Sequence, residues 1–254
     1  MTSAVGLVVP AYRPDVDRLA AYVRSLQEHL DLATVRVELD APDAGVPAGL
    51  TDLPVEIHTV PYRRGKGAAI TDGFEALSTD VLAFADADGS TPADSMAEVV
   101  APVRDGVVDL AVGSRRHPEA TVDAHQTLAR RYLGDGFAWL ARRLLDVDVY
   151  DFQCGAKAID AAAWEAVRQH LYEPGFAWDV ELIAIAGAVE LAIEEVPIEW
   201  HDRPGSTVSP VRDSLRLGRA LVRARHRAKR LSDSRLHTVL ASHREEEQAL
   251  IEQR

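Results

Sequence analysis

The chain has 254 residues, of which 47% are hydrophobic, and a formal charge of −12 at pH 7. This length can bury one sizeable core, so we predict a single domain with a tail. The acidity argues against a nucleic-acid binder, because DNA and RNA binding relies on Lys and Arg that neutralise phosphates. The single cysteine, Cys154, excludes an intramolecular disulfide and a cysteine-rich zinc site.

The N-terminus and the apolar segments predict a cytoplasmic protein. MTSA leads directly into the apolar run VGLVVP without a charged n-region. No apolar stretch reaches the roughly 18 residues of a membrane-spanning helix, so we expect the chain to be soluble or peripheral on the cytoplasmic membrane face. Lysine occurs only at Lys66, Lys157 and Lys229. An acidic, lysine-poor chain is typical of a halophilic archaeon, although GC-rich coding alone would give a similar composition.

The first half alternates short β-branched segments with helical patterns, which predicts an α/β fold with a mostly parallel sheet flanked by helices. The predicted strands are 5–9, 35–39, 55–60, 81–85 and 110–112, and the predicted helices are 15–31, 67–77 and 92–104. Such sheets bind ligands beyond the carboxyl ends of their strands. Two clusters follow predicted strands in this way, Pro10-Ala11-Tyr12 and Asp86-Ala87-Asp88.

The second half is predicted to contain a helix at 124–145, a short strand, two helices of which the second spans 177–189, and a strand at 192–199. From Val211 onward a long polar helix pattern follows, broken near 232–234, and the chain ends in the charged segment EEEQALIEQR. We therefore predict a domain at 1–210 and a C-terminal helical tail at 211–254. The last segment of that tail is predicted to be mobile or packed on a partner.

Two aspartates separated by one residue, Asp86 and Asp88, follow the predicted strand VLAFA. At a strand end this spacing turns both side chains the same way. Two carboxylates on one face suit Mg²⁺ or Mn²⁺, which completes its coordination with water and the phosphates of a substrate such as a nucleotide diphosphate. The alternative is a solvated turn, in which Gly89 and the helix start Ser90-Thr91-Pro92 explain the polar residues.

A basic segment with two glycines, Arg63-Arg64-Gly65-Lys66-Gly67, opens the predicted helix 67–77. Glycines at a helix N-terminus allow backbone amides to approach an anion, which the helix dipole favours. The spacing is not that of a P-loop. An ordinary helix start after a charged loop would give the same pattern.

Segments from both halves of the chain together resemble one family. They are GLVVPAY, RRGKGAAITDGF, FADADGST, VGSR, DFQCGAKAI, FAWDVEL and VPIEWHDRPGST. Their order and approximate spacing are similar to those of dolichyl-phosphate glucosyltransferases and dolichyl-phosphate mannose synthases, within inverting glycosyltransferase family 2. The resemblance spans about residues 5–221. It implies a GT-A type fold, a UDP-glucose or GDP-mannose donor, a polyprenyl phosphate acceptor, and Mg²⁺ or Mn²⁺.

The resemblance also assigns roles to individual residues. On the donor side it places Pro10, Ala11, Tyr12, Asp40, Lys66, Gly67 and Asp86, with the metal held by Asp86 and Asp88. On the acceptor side it places Arg115, Arg130, Arg131, Gln153, Arg203 and Ser206. The catalytic set it implies is Asp86, Asp88, Arg115 and Arg130, and Asp179 and Glu181 match family positions as well.

Two segments depart from the family pattern. After the second strand the family has two adjacent aspartates and Gly-Ser, whereas this chain has Asp40-Ala41-Pro42-Asp43, which puts base recognition in doubt. After Trp200 the family has Gly-Ser-Lys, whereas here Gly205-Ser206 precedes Thr207. If the missing lysine holds a phosphate, Arg203 is the nearest cation that could replace it.

The implied reaction fits the residues present. A polyprenyl monophosphate is already ionised, so attack on the sugar needs no general base. The site must instead align the reacting atoms and supply cations, and guanidinium groups such as those of Arg115, Arg130 and Arg131 bind phosphate oxygens bidentately. The alternative for these residues is a set of surface arginines paired with acids.

The segment 211–231 could bring the chain to a membrane. Six arginines recur at helical spacing on one predicted face, Arg212, Arg216, Arg219, Arg223, Arg227 and Arg230. Such a helix could lie on anionic headgroups, or it could neutralise the acidic body of the protein or a partner. Two other functions remain open at this point: a family 2 transferase with a soluble or glycan acceptor, and a non-catalytic protein that binds sugar nucleotides.

Overall fold

The computed structural model describes residues 3–123, 128–201, 210–232 and 248–253, with the backbone alone for 128–135 and 210–216. The described strands are β1 (Val5–Tyr12), β2 (Leu32–Asp40), β3 (Glu56–Val60), β4 (Val81–Ala85), β5 (Leu110–Ser114), β6 (Thr121–Asp123), β7 (Ala156–Asp160), β8 (Ile193–Pro197) and β9 (Glu199–His201). The described α-helices are α1 (Val16–His29), α2 (Gly45–Ala48), α3 (Lys66–Ala76), α4 (Ala93–Arg104), α5 (Leu128–Leu145), α6 (Ala161–Val167), α7 (Trp178–Ala188) and α8 (Pro210–Leu231). Short 3₁₀ helices span Arg168–His170 and Leu250–Glu252.

Seven strands form the main sheet in the order β3-β2-β1-β4-β7-β5-β8. All neighbouring pairs are parallel except those of β7, which runs antiparallel to β4 and β5. The register pairs Tyr12 with Asp40, so β1 and β2 end side by side. The register also pairs Ala85 with Ala156. The residues that follow β4 therefore lie beside those that precede β7, and the predicted mostly parallel sheet flanked by helices is confirmed.

Helices cover both faces of this sheet. The core on one face is built with α1 and α4, and the core on the other face with α3, α5, α6, α7 and α8. Helix α7 is buried along almost its whole length, because α8 packs over it through Leu221, Ala224 and Ala228. A helix that is covered on all sides needs no polar face. This explains why every residue of the segment 180–186 is apolar except the buried Glu181.

The structure corrects the sequence analysis at two elements. The single strand predicted at 192–199 is two strands, since β8 lies in the main sheet while β9 pairs with β6 in a second, two-stranded sheet. The chain changes sheets at Ile198, whose N–H donates to Ser114 O at the end of β5 and whose C=O accepts the N–H of Thr121 at the start of β6. The second correction concerns the tail, where Leu250 is 4% exposed and donates its N–H to Leu171 O. This part of the tail packs on the protein's own core, where the sequence indicated a mobile or partner-packed segment.

Within the described residues, no helix is long and apolar enough to cross a membrane.

Candidate active site

Asp86 lies directly after β4 and rests on a glycine. Its N–H donates to Gly155 O over 2.9 Å, and a Cβ added to Gly155 would lie only 1.9 Å from Asp86 Oδ2. The Asp86 side chain remains 41% exposed. Gly155 therefore provides the space that the carboxylate needs while leaving it open to a ligand, which explains the glycine of the DFQCGAK segment.

Asp88 lies in the turn after Asp86, and its side chain is exposed. Its Oδ1 accepts the Ser90 N–H over 2.9 Å, and Gly89 supports the turn with a φ of +67°. Ser90 O in turn accepts the N–H of His201, which ties this turn to β9. The two aspartates thus directly follow β4, as the sequence predicted.

The pair fits a divalent cation of the Mg²⁺ type. Carboxylate oxygens are its preferred protein ligands, and one or two of them suffice when a substrate diphosphate completes the coordination. The space left by Gly155 keeps the Asp86 carboxylate accessible for this role. Among the described residues there is no group of three or more His, Cys, Asp or Glu side chains that could hold a metal alone. Binding of a metal together with its substrate therefore stays a prediction for these two carboxylates.

Lys66, the first residue of α3, contacts Asp86. Its Nζ lies 3.0 Å from Asp86 Oδ1 and 3.0 Å from Asp179 Oδ2. Burial alone would lower the pKa of Lys66, but the two carboxylates raise it above its ordinary value, so the side chain stays charged. Lys157 pairs with the other oxygen of Asp179 at 2.8 Å. The family resemblance places Lys66 near the donor, whereas no motif singles out Lys157, although two of the chain's three lysines meet here.

The glycines around Lys66 have a reason that the sequence did not reveal. Gly65 has a φ of +105°, and a Cβ on it would lie 2.4 Å from Pro174 O. A Cβ on Gly67 would lie 2.5 Å from Glu173 O, and the Ala68 N–H already donates to Pro174 O. These glycines therefore admit the 173–175 segment against the start of α3. The Ala68 amide cannot bind an anion, as the interpretation of this helix start would require, because its N–H already donates to Pro174 O.

The ends of β1 and β2 form the second part of the site. Tyr12 is 38% exposed, and the guanidinium of Arg63 lies 4.3 Å from its ring centroid. Pro10 and Ala11 precede it in β1. Asp40 is 4% exposed and accepts hydrogen bonds from Arg64 Nε at 2.8 Å and Gly65 N at 3.0 Å. Asp40 thus holds the loop that precedes Lys66, and its predicted contact with the base or ribose stays a prediction.

Arg115 follows β5 and is fixed by a carboxylate that the sequence analysis did not single out. Its Nε and Nη2 lie 2.7 and 2.9 Å from the two oxygens of Asp151. The indole ring of Trp200 lies 5.5 Å from its guanidinium carbon. Asp151 Oδ1 also accepts the N–H of the half-buried Gln153. The structure therefore brings Arg115 and the turn before β7 together, and the predicted acceptor-side role of Arg115 and Gln153 stays a prediction.

Asp151 gives the protein an acid limit to its stability. Burial alone would raise the pKa of this carboxyl, but Arg115 holds the pKa well below its usual range. Such a group stabilises the fold above its unfolded-state pKa of about 4, and this contribution is lost as the pH falls through the folded-state value. We expect the free energy of unfolding to fall below about pH 4 in the wild type, and less steeply in Asp151→Asn. Urea unfolding across that range measures both slopes, and equal slopes would contradict this role of Asp151.

The remaining acceptor-side residues are not placed by their side chains. Arg130 and Arg131 lie in α5, where the structure gives the backbone alone, and Arg203 and Ser206 lie outside the described residues. Their roles stay predictions. Glu181 has a structural role: it accepts the N–H groups of Tyr172 and Glu173 and pairs with Arg227 of α8.

Comparisons with known proteins agree with this geometry. Residues 7–158 match the family model described as glycosyl transferase family 2. Glycosyltransferase AglD of Haloferax volcanii is 31% identical over 86% of this chain and 36% of its own length. The dolichyl-phosphate beta-glucosyltransferase of Saccharomyces cerevisiae is 31% identical over 63% of this chain and 51% of its own length, and that of Mus musculus is 27% identical over 87% and 74%. The chain thus spans about a third of the first relative and about half of the second.

The fold has solved counterparts. Glucosyl-3-phosphoglycerate synthase from Mycobacterium tuberculosis, crystallised with Mn²⁺, UDP-glucose and phosphoglyceric acid, superposes with a TM-score of 0.65. The sequence identity is 16%, over 91% of this chain and 80% of that chain. The same protein was also crystallised with Mg²⁺ and UDP. At this identity the likeness shows the fold, and it confirms the predicted GT-A type.

Proposed function

Because this chain belongs to glycosyl transferase family 2, we propose that it transfers a hexose from a nucleotide-diphosphate sugar to a polyprenyl phosphate such as dolichyl phosphate, with inversion. The observation that carries this proposal is the cluster at the end of β4, where Lys66 lies 3.0 Å from an accessible Asp86 carboxylate. In such a pair the carboxylate can bind the metal and the ammonium can bind the diphosphate of a metal–diphosphate group. The relatives named as dolichyl-phosphate beta-glucosyltransferases support glucose as the sugar and dolichyl phosphate as the acceptor.

On the donor side, we assign the nucleoside to the ends of β1 and β2, and this is supported by the register that sets Tyr12 beside Asp40. Lys66 supplies a fixed positive charge to the diphosphate. A Mg²⁺ or Mn²⁺ held by Asp86 and Asp88 would neutralise the charge that develops on the leaving nucleotide. Single displacement from the opposite side of the sugar then inverts the anomeric carbon.

On the acceptor side, Arg115 is the described cation best prepared to bind a phosphate. Asp151 fixes its guanidinium through two hydrogen bonds, and the side chain remains 27% exposed. A phosphate monoester needs no general base, so orientation and charge are what the protein must provide. Arg130, Arg131, Arg203 and Ser206 complete the proposed acceptor side.

The donor can be identified separately from the acceptor. We expect UDP-glucose to bind more tightly than GDP-mannose in the presence of Mg²⁺ or Mn²⁺, and to lose affinity when the metal is chelated. Calorimetric titration of each nucleotide sugar, with metal and with EDTA, measures both effects. Tighter binding of GDP-mannose would contradict glucose as the sugar. Binding that does not depend on the metal would contradict a metal site at Asp86 and Asp88.

We also propose that α8 brings the protein to the lipid acceptor by peripheral contact through 211–231, on the cytoplasmic membrane face. Arg219, Arg223 and Arg230 are exposed, and Val222 beside them is 61% exposed. Arg227, which the sequence placed on the same face, instead reaches inward to Glu181 and stacks on Tyr172. The described outer face of α8 therefore combines three guanidinium groups with one apolar residue, which suits anionic headgroups.

Replacing Arg219 and Arg223 with glutamine is expected to weaken binding to anionic vesicles about thirtyfold at low salt, since each surface cation contributes about 1 kcal/mol. Co-sedimentation with phosphatidylglycerol vesicles measures this. The matched control replaces Arg18 and Arg24, which are not buried and lie on α1, over the opposite face of the sheet. Equal binding of the α8 variant and the control would overturn the membrane contact.

A further inference from the structure

A carboxylate deep in the fold holds two lysines at once. Asp179 of α7 is 1% exposed, with Lys66 Nζ 3.0 Å from one oxygen and Lys157 Nζ 2.8 Å from the other. Lys157 is itself 1% exposed. Charged groups are almost never buried this completely unless they are paired, so each of the three depends on the others.

The second lysine links this carboxylate to the turn under Asp86. Lys157 Nζ also donates to Cys154 O over 2.7 Å. The next residue, Gly155, accepts the Asp86 N–H and gives space to the Asp86 carboxylate. Asp179 and Lys157 therefore join α7, the start of β7 and the end of β4 at the point where Asp86 and Lys66 meet.

The cluster has one open end. Two lysines face two carboxylates, Asp86 and Asp179, so the four charges balance. Three of the side chains are at least 92% covered, whereas Asp86 is 41% exposed. A buried ion pair adds little stability over an apolar pair of the same shape, so stability alone gives no reason to bury these charges. These buried charges hold the Lys66 ammonium beside the exposed Asp86, at the open end of the cluster.

We propose that Asp179 and Lys157 are positioning residues, which hold the Lys66 ammonium beside Asp86 so that it can bind the diphosphate of a nucleotide donor. A lysine ammonium has three N–H groups, and Asp86 and Asp179 take two of them. Among the described residues the third has no hydrogen-bond acceptor, and the Phe84 ring centroid lies 5.0 Å from the ammonium. A phosphate oxygen could take this third N–H. This inference rests on the nucleotide donor of the proposed function and is independent of the lipid acceptor.

The main test is Asp179→Asn, which keeps the size of the side chain and removes its charge. We expect the Kd for UDP with Mg²⁺ to rise at least about tenfold, because Lys66 loses a charge-assisted partner and is repelled by Lys157. The KM for the sugar donor should rise in parallel, while the KM for the acceptor should stay within about twofold. A purely structural role would change both KM values together or neither.

The matched control is Glu75→Gln. Glu75 is also a largely covered carboxylate, 10% exposed and 2.6 Å from Arg168, and it lies in the last turn of α3, at the other end of the helix from Lys66. This variant should lose stability without changing UDP affinity. A double variant, Lys157→Met with Asp179→Asn, guards against misfolding because it removes one charge of each sign. It should fold and still bind UDP at least about tenfold more weakly than the wild type.

A third comparison asks whether Asp179 acts through Lys66. Lys66→Met and the combination of Lys66→Met with Asp179→Asn should bind UDP equally weakly, since the second change has no ammonium left to position. Calorimetric titration of UDP with Mg²⁺ measures all variants. Wild-type affinity in Asp179→Asn would overturn this inference, and so would additive losses when Lys66→Met and Asp179→Asn are combined. Neither result would overturn the proposed donor. A wild type that binds no nucleotide would overturn the donor proposal and this inference with it.

Discussion

Replacing Asp88 with asparagine is expected to lower the turnover number about a thousandfold while leaving the fold intact. Asparagine can still accept the Ser90 N–H, so the turn after β4 keeps its hydrogen bond. What is lost is one of the two negative charges that would hold the divalent cation beside the leaving diphosphate. Steady-state rates across a Mn²⁺ titration, with thermal unfolding of the same samples, measure the two effects separately.

The control for this change is Asp94→Asn. Asp94 lies in the first turn of α4 with its side chain 82% exposed, so the substitution removes the same charge from the same region of the chain. Its turnover number should stay within about twofold of the wild type, because surface changes away from a site are usually small. If Asp88→Asn also retains wild-type turnover at every Mn²⁺ concentration, Asp88 is not a metal ligand.

The second large effect is expected from Gly155→Ala. The added Cβ would lie 1.9 Å from Asp86 Oδ2 and 2.1 Å from its Cγ, so the carboxylate must shift, and we expect its contact with Lys66 to be lost. A displacement of about 1 Å at such a group costs on the order of a hundredfold in turnover. Unlike Asp88→Asn, this change leaves every charge of the site in place. It therefore tests the position of the carboxylate rather than its presence.

Gly136→Ala is the matched control for the glycine change. Gly136 lies within α5, and a Cβ added there meets none of the described atoms within 4 Å. Alanine in a helix interior is about 1 kcal/mol more favourable than glycine, so this variant should be at least as stable as the wild type and equally active. If Gly155→Ala is as active as Gly136→Ala, the close approach of Gly155 to Asp86 does not limit the reaction.

Much of the fold could be predicted because its strands are short β-branched runs that alternate with helices. The predicted bounds of the first four strands agree with β1, β2, β3 and β4 to within a few residues. The parallel order then predicts which edge of the sheet binds ligands. The split of the predicted strand 192–199 could not be found in this way. Both halves have strand propensity, and only the partner strands, β5 for one and β6 for the other, separate them.

The site was predicted where its residues are close in sequence, and was incomplete where they are not. Asp86 and Asp88 stand in one short segment, whereas Lys66 and Asp179 are separated by 113 positions. The carboxylate that fixes Arg115, Asp151, lies 36 positions away. A single sequence carries no spacing rule for such pairs, because the fold alone decides which buried charges meet. The buried lysine was equally hidden, since Lys157 stands inside the strand β7.

The glycines show the same limit from another side. Gly65 and Gly67 suggested an anion pocket because glycine permits close approach of a ligand to the backbone. The structure shows that the 173–175 segment closely approaches both glycines. Anion binding by the Lys66 and Gly67 amides stays a prediction. Sequence identifies that a glycine is needed, but the neighbour that requires it comes from a distant part of the chain.

The measurement that tests the central claim most directly is transfer of a radiolabelled sugar in high salt with Mn²⁺ or Mg²⁺, in the presence and absence of polyprenyl phosphate. We expect label from UDP-glucose to enter the organic phase only when the lipid phosphate and the metal are both present, and Asp88→Asn to lower this transfer about a thousandfold. Binding of UDP-glucose without any lipid-linked product would contradict the proposed acceptor, and would instead favour a soluble acceptor or a protein that binds sugar nucleotides without transferring them.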